Sequence, residues 1–169
     1  MKLARSAVLM LALATAVGAC DDDDDPTGNN NVTVAELAGS YDIDSFIYTA
    51  DDGSGSFNLT PVGLGLQSIT VQTNGNFSGV LVFPDPQTGN PTPFNIGGTI
   101  VLSGSNGLTI NFDQATQALG ILDASETGTF TWNENLEVLV LTLTEVTAPA
   151  GTPGFAGEDS NLTMTVTRM

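Results

Sequence analysis

The chain is poor in the side chains that carry out most protein chemistry. It has no His, one Cys and only three Lys and Arg, against 19 Asp and Glu. The single thiol, Cys20, follows an uncharged run from Ala7 to Ala19 and precedes five aspartates, Asp21 to Asp25. With no second Cys there is no disulfide framework. Beyond Cys20 the usual general base, the amine and thiol nucleophiles and the common transition-metal ligands are missing. Carboxylates and hydroxyls remain. Asp42 with Asp44, and Glu134 with Glu137, are the carboxylate pairs by spacing. They lie near turns or on outward faces of expected strands, where acids serve solubility. Asp51-Asp52-Gly53-Ser54-Gly55-Ser56 has the texture of a calcium loop but lacks its alternating acids and terminal Glu. It reads as a flexible turn. The chain is therefore expected not to be an enzyme, with no catalytic residue, metal site or cofactor. Cys20 is the residue whose surroundings specify a chemistry.

Those surroundings are a leader. Lys2 and Arg5 followed by the apolar run have the form of a secretion signal. A membrane-spanning helix needs about 20 apolar residues, and this run stops short at Cys20. Val17-Gly18-Ala19-Cys20 resembles the cleavage box of bacterial lipoprotein signal peptides: an aliphatic residue, two small ones, then Cys. The resemblance implies that the Cys20 thiol receives a diacylglyceryl group, that residues 1–19 are removed, and that the new amine is acylated. Two or more acyl chains, at about 0.8 kcal/mol per buried methylene, make a firm anchor. The other reading is an ordinary signal cut after Ala19, leaving a free thiol. The resemblance places the protein in the bacterial cell envelope, lipid-anchored at the periplasmic face or the cell surface, with the membrane as its first partner.

Removing residues 1–19 leaves 150 residues with Arg168 as the only cation against 19 acids, a formal charge of −18. That balance repels nucleic acid and anionic headgroups. Residues 20–31 form an acidic tether with no apolar residue to bury after Cys20. Like charges extend it, and about twelve residues reach ~40 Å at most. The aspartate run reads as a solvated spacer, a sorting signal or a weak divalent-cation collector.

From Val32 to Met169 the texture is that of one all-β domain. Alternating or apolar runs predict eight strands: 40–48, 64–73, 76–83, 94–103, 107–112, 127–132, 136–146 and 161–168. Asn74-Gly75 and Asn106-Gly107 mark hairpins. In the first strand Tyr41, Ile43, Ser45 and Ile47 share a face. In the seventh, Val138 and Val140 lie on one face and Leu139, Leu141 and Leu143 on the other. An outward apolar face there needs a cover. Ala115, Ala118, Leu119 and Leu122 have helical spacing within 113–123. Asp113 is the expected cap and Gly120 the expected stop. This helix or a partner subunit is the expected cover. The alternative is a further strand over 117–122.

Eight antiparallel strands close into a barrel wide enough to pack with side chains or hold one small ligand. The body opens with Gly39-Ser40-Tyr41 and ends on Arg168. This resembles the lipocalins and related barrels, whose Gly-x-Trp opens the first strand and whose late basic residue packs over that ring. The resemblance implies an eight-stranded up-and-down barrel, lipocalin-like, with Tyr41 and Arg168 as a structural pair. The alternative is a β-sandwich, in which the first and last strands need not be neighbours. It also implies a small apolar ligand, for which Tyr41, Ile43, Phe77, Leu81, Ile100, Ile110, Trp132 and Met164 are the inward candidates. The competing function is a non-catalytic envelope or surface module that meets another protein through the outer face of 136–146.

Overall fold

Alternation and turn chemistry build a closed barrel. The computed structural model describes residues 32–53, 55–85, 88–119, 123–147 and 159–169. The leader, Cys20 and the tether lie outside them. The strands are β1 (Gly39–Ala50), β2 (Ser56–Asn58), β3 (Gly65–Val71), β4 (Asn76–Pro84), β5 (Pro91–Ser103), β6 (Gly107–Phe112), β7 (Ser125–Asn133), β8 (Val138–Thr147) and β9 (Asp159–Arg168). A 3₁₀ turn spans Thr60–Val62 and a single-turn helix, α1, spans Gln114–Gln117. β3 to β9 pair antiparallel in sequence order, and β1 joins β3 on one side and β9 on the other. That ring has eight strands, and β2 is an addition to it. The β1–β9 ladder runs from Tyr41↔Arg168 to Ala50↔Ser160. The first and last strands are therefore neighbours, which excludes the sandwich.

Backbone satisfaction explains the additions. β3 leaves β1 at Asp42↔Ser68. Later N–H and C=O groups on that side of β1 need partners. β2 takes them over from Ile47↔Asn58 to Thr49↔Ser56, and Leu59 N donates to Phe46 O at 2.9 Å. β6 likewise leaves β5 at Gly98↔Phe112. Asp113 N still donates to Gly97 O at 2.9 Å, but Gly97 N would be unpaired on that side. Thr116 of α1 closes the gap: its Oγ1 accepts from Gly97 N at 2.8 Å and donates to Gly97 O at 3.2 Å. Asp113 caps α1, with its carboxylate accepting from Thr116 N at 2.7 Å.

The expected helix is thus real but short, and it packs on β5 rather than over β8. Residues 118–119 form a turn, so no strand forms there, and 120–122 are outside the described residues. The outer face of 136–146 keeps Val138 and Val140 half-exposed and Leu136 66% exposed.

Three bulges reset the inward faces. In β3 the register shifts between Leu66 and Ser68, after which Ile69 and Val71 are the buried residues. In β1 the register shifts between Ile43 and Ser45, so Asp44 has no partner. An extra residue reverses the alternation. Tyr41 is inward, but after the bulge the buried residues are Phe46, Tyr48 and Ala50, and not Ser45 and Ile47. In β8 the shift lies between Leu143 and Val146, with Glu145 at φ 59°. Leu139, Leu141 and Leu143 point inward as expected, and Val146 joins them.

One end of the barrel is sealed. There the chain enters through a turn capped by Glu36, whose Oε2 accepts from Thr33 N at 2.6 Å. Leu37 is buried beneath it, and Tyr41 Oη donates to Leu37 O at 2.6 Å. Arg168 closes this end. Its guanidinium donates to Glu36 O at 2.9 Å and to Glu137 Oε1 at 2.8 Å. It lies 4.9 Å from the centre of the Trp132 ring. Arg168 and Tyr41 are cross-strand partners, yet the aromatic ring under the cation is Trp132. Tyr41 instead spends its hydroxyl on the entry turn. The Gly39 requirement also becomes physical. A Cβ there would sit 2.6 Å from Arg168 Cδ, so only glycine lets the arginine stem cross. Arg168→Ala removes this lid contact, the hydrogen-bonded ion pair with Glu137 and the hydrogen bond to Glu36 O. The expected loss is about 2 kcal/mol of unfolding free energy by urea titration. Arg168→Lys recovers less than half, because an ammonium cannot stack and fork at once.

Candidate functional site

The barrel interior is apolar because successive strands turn every second residue inward. Between the sealed end and the α1 end, the inward side chains leave a cavity of about 50 Å³. Its lining comes from all eight barrel strands: Phe46, Leu66, Ile69, Phe77, Leu81, Ile96, Ile100, Ile110, Phe112, Glu126, Leu141, Leu143, Val146, Leu162 and Met164. Two edge-to-face aromatic pairs stiffen it, Phe46–Tyr48 at 5.7 Å and Phe77–Phe112 at 6.0 Å. Such pairs add about 0.5–1.5 kcal/mol beyond burial.

Five of the sequence-derived pocket residues stand on this wall: Phe77, Leu81, Ile100, Ile110 and Met164. Tyr41 and Trp132 do not, because they belong to the sealed end. Ile43 is half-buried beside Val166, below the cavity. Phe46 takes its place on the wall, since the Asp44 bulge turns it inward.

Glu126 is the lining residue that the strand pattern had left out. It is only 5% exposed and the sole acidic residue along the cavity, to whose wall it contributes apolar surface only. The sequence carried the signal. Glu126, Gly128, Phe130 and Trp132 share one parity, but β7 begins at Ser125, two residues before the expected start at Thr127. Burial pushes the Glu126 carboxyl above the ordinary carboxylate range, and the nearby Asp123 charge adds to this. A hydrogen bond from the Asp123 backbone opposes both. Across the interior, burial pushes the Tyr48 phenol upward, and the Glu126 charge reinforces the shift. The Tyr48 side chain is fully buried, and its hydroxyl has no hydrogen-bond partner among the described residues. An unpaired buried hydroxyl costs about 1–3 kcal/mol. Two further buried polar residues at this end are satisfied: Thr116 by Gly97, and Ser160 by donating to Val146 O at 2.9 Å.

The exposed acids are engaged elsewhere. Asp44 accepts from Thr167 Oγ1 at 2.7 Å, Asp51 accepts from Asn161 Nδ2 at 3.0 Å, and Glu137 holds Arg168. The Asp51 loop is a turn in which Gly53 N donates to Ala50 O. Among the described residues no group of three or more His, Cys, Asp or Glu is arranged to hold a metal ion.

Glu126 leaves a mark on stability. Its carboxyl binds a proton more tightly folded than unfolded, so its contribution is fully present below the unfolded value. That contribution is lost as pH rises through the folded value. Glu126→Gln removes the titration and keeps the hydrogen bond from Asp123. The melting temperature of the variant, measured against the parent, should gain as pH goes from about 4 to about 8. A gap that does not change with pH would contradict this placement of Glu126.

In comparisons with known proteins, no family model and no curated protein matches this chain.

Proposed function

We propose that this protein is a lipid-anchored component of the bacterial cell envelope whose barrel takes up a small apolar ligand. The observation that carries the binding part is the apolar cavity inside a closed, sealed barrel. Binding of an apolar molecule requires a desolvated apolar wall, and the cavity is lined by one. No catalytic step enters this reading. The cavity also limits the ligand. An engineered apolar cavity that takes benzene measures roughly 150 Å³, about three times this one. The guest is therefore slender or only a few heavy atoms in size, unless the wall yields. Met164 is the side chain suited to yield, being unbranched and adaptable.

The anchor part rests on Val17-Gly18-Ala19-Cys20. The described chain starts at the sealed end, so a tether from Cys20 holds that end nearer the lipid and leaves the α1 end free. A second reading has one observation in its favour. Leu136, Val138 and Val140 are left uncovered by α1, and this face is a candidate contact for another envelope protein.

Metabolic palmitate labelling of the full chain tests the anchor. Cys20→Ser should lose the label and release the protein from the membrane fraction. Continued labelling of the variant sinks that part. Methyl NMR of the mature protein titrated with n-pentanol tests the cavity. The Val146 and Met164 signals should shift, and Leu141→Phe, which fills the space, should abolish the response while the fold is retained. Shifts confined to outward residues such as Val138 and Val140 would instead favour the interaction module.

A further inference from the structure

The geometry points to a second binding site, an open groove on the outer surface of β4, β5 and β6 that takes a neutral sugar unit. It does not depend on ligand uptake by the interior.

The groove has a volume of about 440 Å³, within the roughly 300–1,000 Å³ of small-molecule sites. Register builds it. Asn76 pairs with Thr99, Thr99 with Asn111, and Asn111 with Ser125. Residues directly opposite one another share a face, with Cβ atoms about 4.5–5.5 Å apart. The row is therefore two amides and two hydroxyls side by side, all exposed. Ser125 Oγ donates to Asn111 Oδ1 at 3.1 Å. That bond uses the amide oxygen and leaves the two N–H donors of Asn111 for a guest. Asp113 completes the polar rim. Its Oδ1 caps α1, while its Oδ2 lies over Gly97, where a Cβ would come within 2.8 Å. The hydrogen bond from Thr116 N holds this carboxyl below the ordinary carboxylate range, so it is charged at neutral pH. Gly98 lies between Phe77 and Phe112 in the register, and these three add the apolar part of the lining.

Such a set suits a sugar and disfavours the other classes. A sugar hydroxyl donates and accepts at once. It can give a charge-assisted bond to a carboxylate and take one from an amide, while its C–H face packs on apolar surface. An anion would meet the Asp113 charge on a strongly acidic chain. A metal ion would find one carboxylate here, and among the described residues no metal-holding group exists. An extended peptide needs a free strand edge, but at Gly98 and Thr99 β5 is paired on both sides. The surface beyond has the same uncharged character. Thr109↔Thr127, Thr129↔Thr142 and Thr142↔Thr163 carry hydroxyl rows across β6 to β9.

The test uses the mature chain at neutral pH in about 0.15 M salt, which screens its acidic surface. Glucose, galactose, mannose and N-acetylglucosamine are titrated separately to about 50 mM, far above a Kd on the order of 1 mM. The readout is the backbone amide signals of Gly97 and Gly98 and the side-chain amide signals of Asn76 and Asn111. At least one neutral sugar should shift them, and glucuronate and galacturonate should bind at least about tenfold more weakly than it does. Thr99→Arg, at an exposed strand position, fills the groove and should abolish the shifts. Thr163→Arg makes the same charge change on β9 and should leave them intact. Failure of all four neutral sugars, an undiminished response in Thr99→Arg, or equal affinity for the uronates would overturn the site. A response to glucosamine alone would assign the groove to cations and overturn the neutral-sugar reading. None of these outcomes alters the n-pentanol response expected of the interior methyls, so the cavity is judged separately.

Discussion

The pairing of β1 with β9 is the constraint on which the structure depends. Without it the sheet would have two long edges, each a row of unpaired backbone groups open to aggregation. With it the inward residues of eight strands share one dry interior, and every strand must present its apolar parity to that space. The bulges at Asp44 and Glu145 follow from this demand. Both lie in β1 and β8, the strands that flank β9, and each re-aims the residues that follow it. Phe46, Tyr48 and Val146 are inside for that reason.

Closure also governs where charge is tolerated. The chain is strongly acidic, yet among the described residues almost all of the acids are outside, where water and counterions screen them. Arg168, the only cation among residues 32–169, is placed where it completes hydrogen bonds to the entry turn and covers Trp132. One acid, Glu126, is inside. Its carboxyl accepts from the Asp123 backbone, whereas the buried Tyr48 hydroxyl has no partner among the described residues, and a buried polar group without one is expensive. The interior is thus finished at the Arg168 end and leaves a hydroxyl unsatisfied at the other.

This asymmetry connects packing to function. A cavity of about 50 Å³ is a small defect by the standards of ligand-binding barrels and a large one for a packed core. Its walls are Leu, Ile and Phe, which hold their rotamers, with Met164 as the adaptable member.

All eight barrel strands were legible from alternation and turn residues, with ends shifted by one or a few residues. So were five of the cavity residues, because Phe77, Leu81, Ile100, Ile110 and Met164 lie on strands without an intervening bulge. The Asp113 cap was legible as well, since an Asx residue before a helical turn acts locally. Glu126 was missed by starting β7 late. Phe46 was missed because a bulge depends on what a strand pairs with, and its own residues do not reveal it. The ring beneath Arg168 was also undecidable from the chain alone. Tyr41 and Trp132 are both apolar aromatics of the right parity, and only the register around the closed ring brings Trp132 under the guanidinium. The sequence by itself determined the periodicity, the turns and the charge balance, all of which are local or compositional. Tertiary structure alone decided the barrel closure, the cation's aromatic partner, the target of α1 and the acid in the cavity. Each of these depends on cross-strand register, and register is a property of pairs of strands that no single stretch encodes.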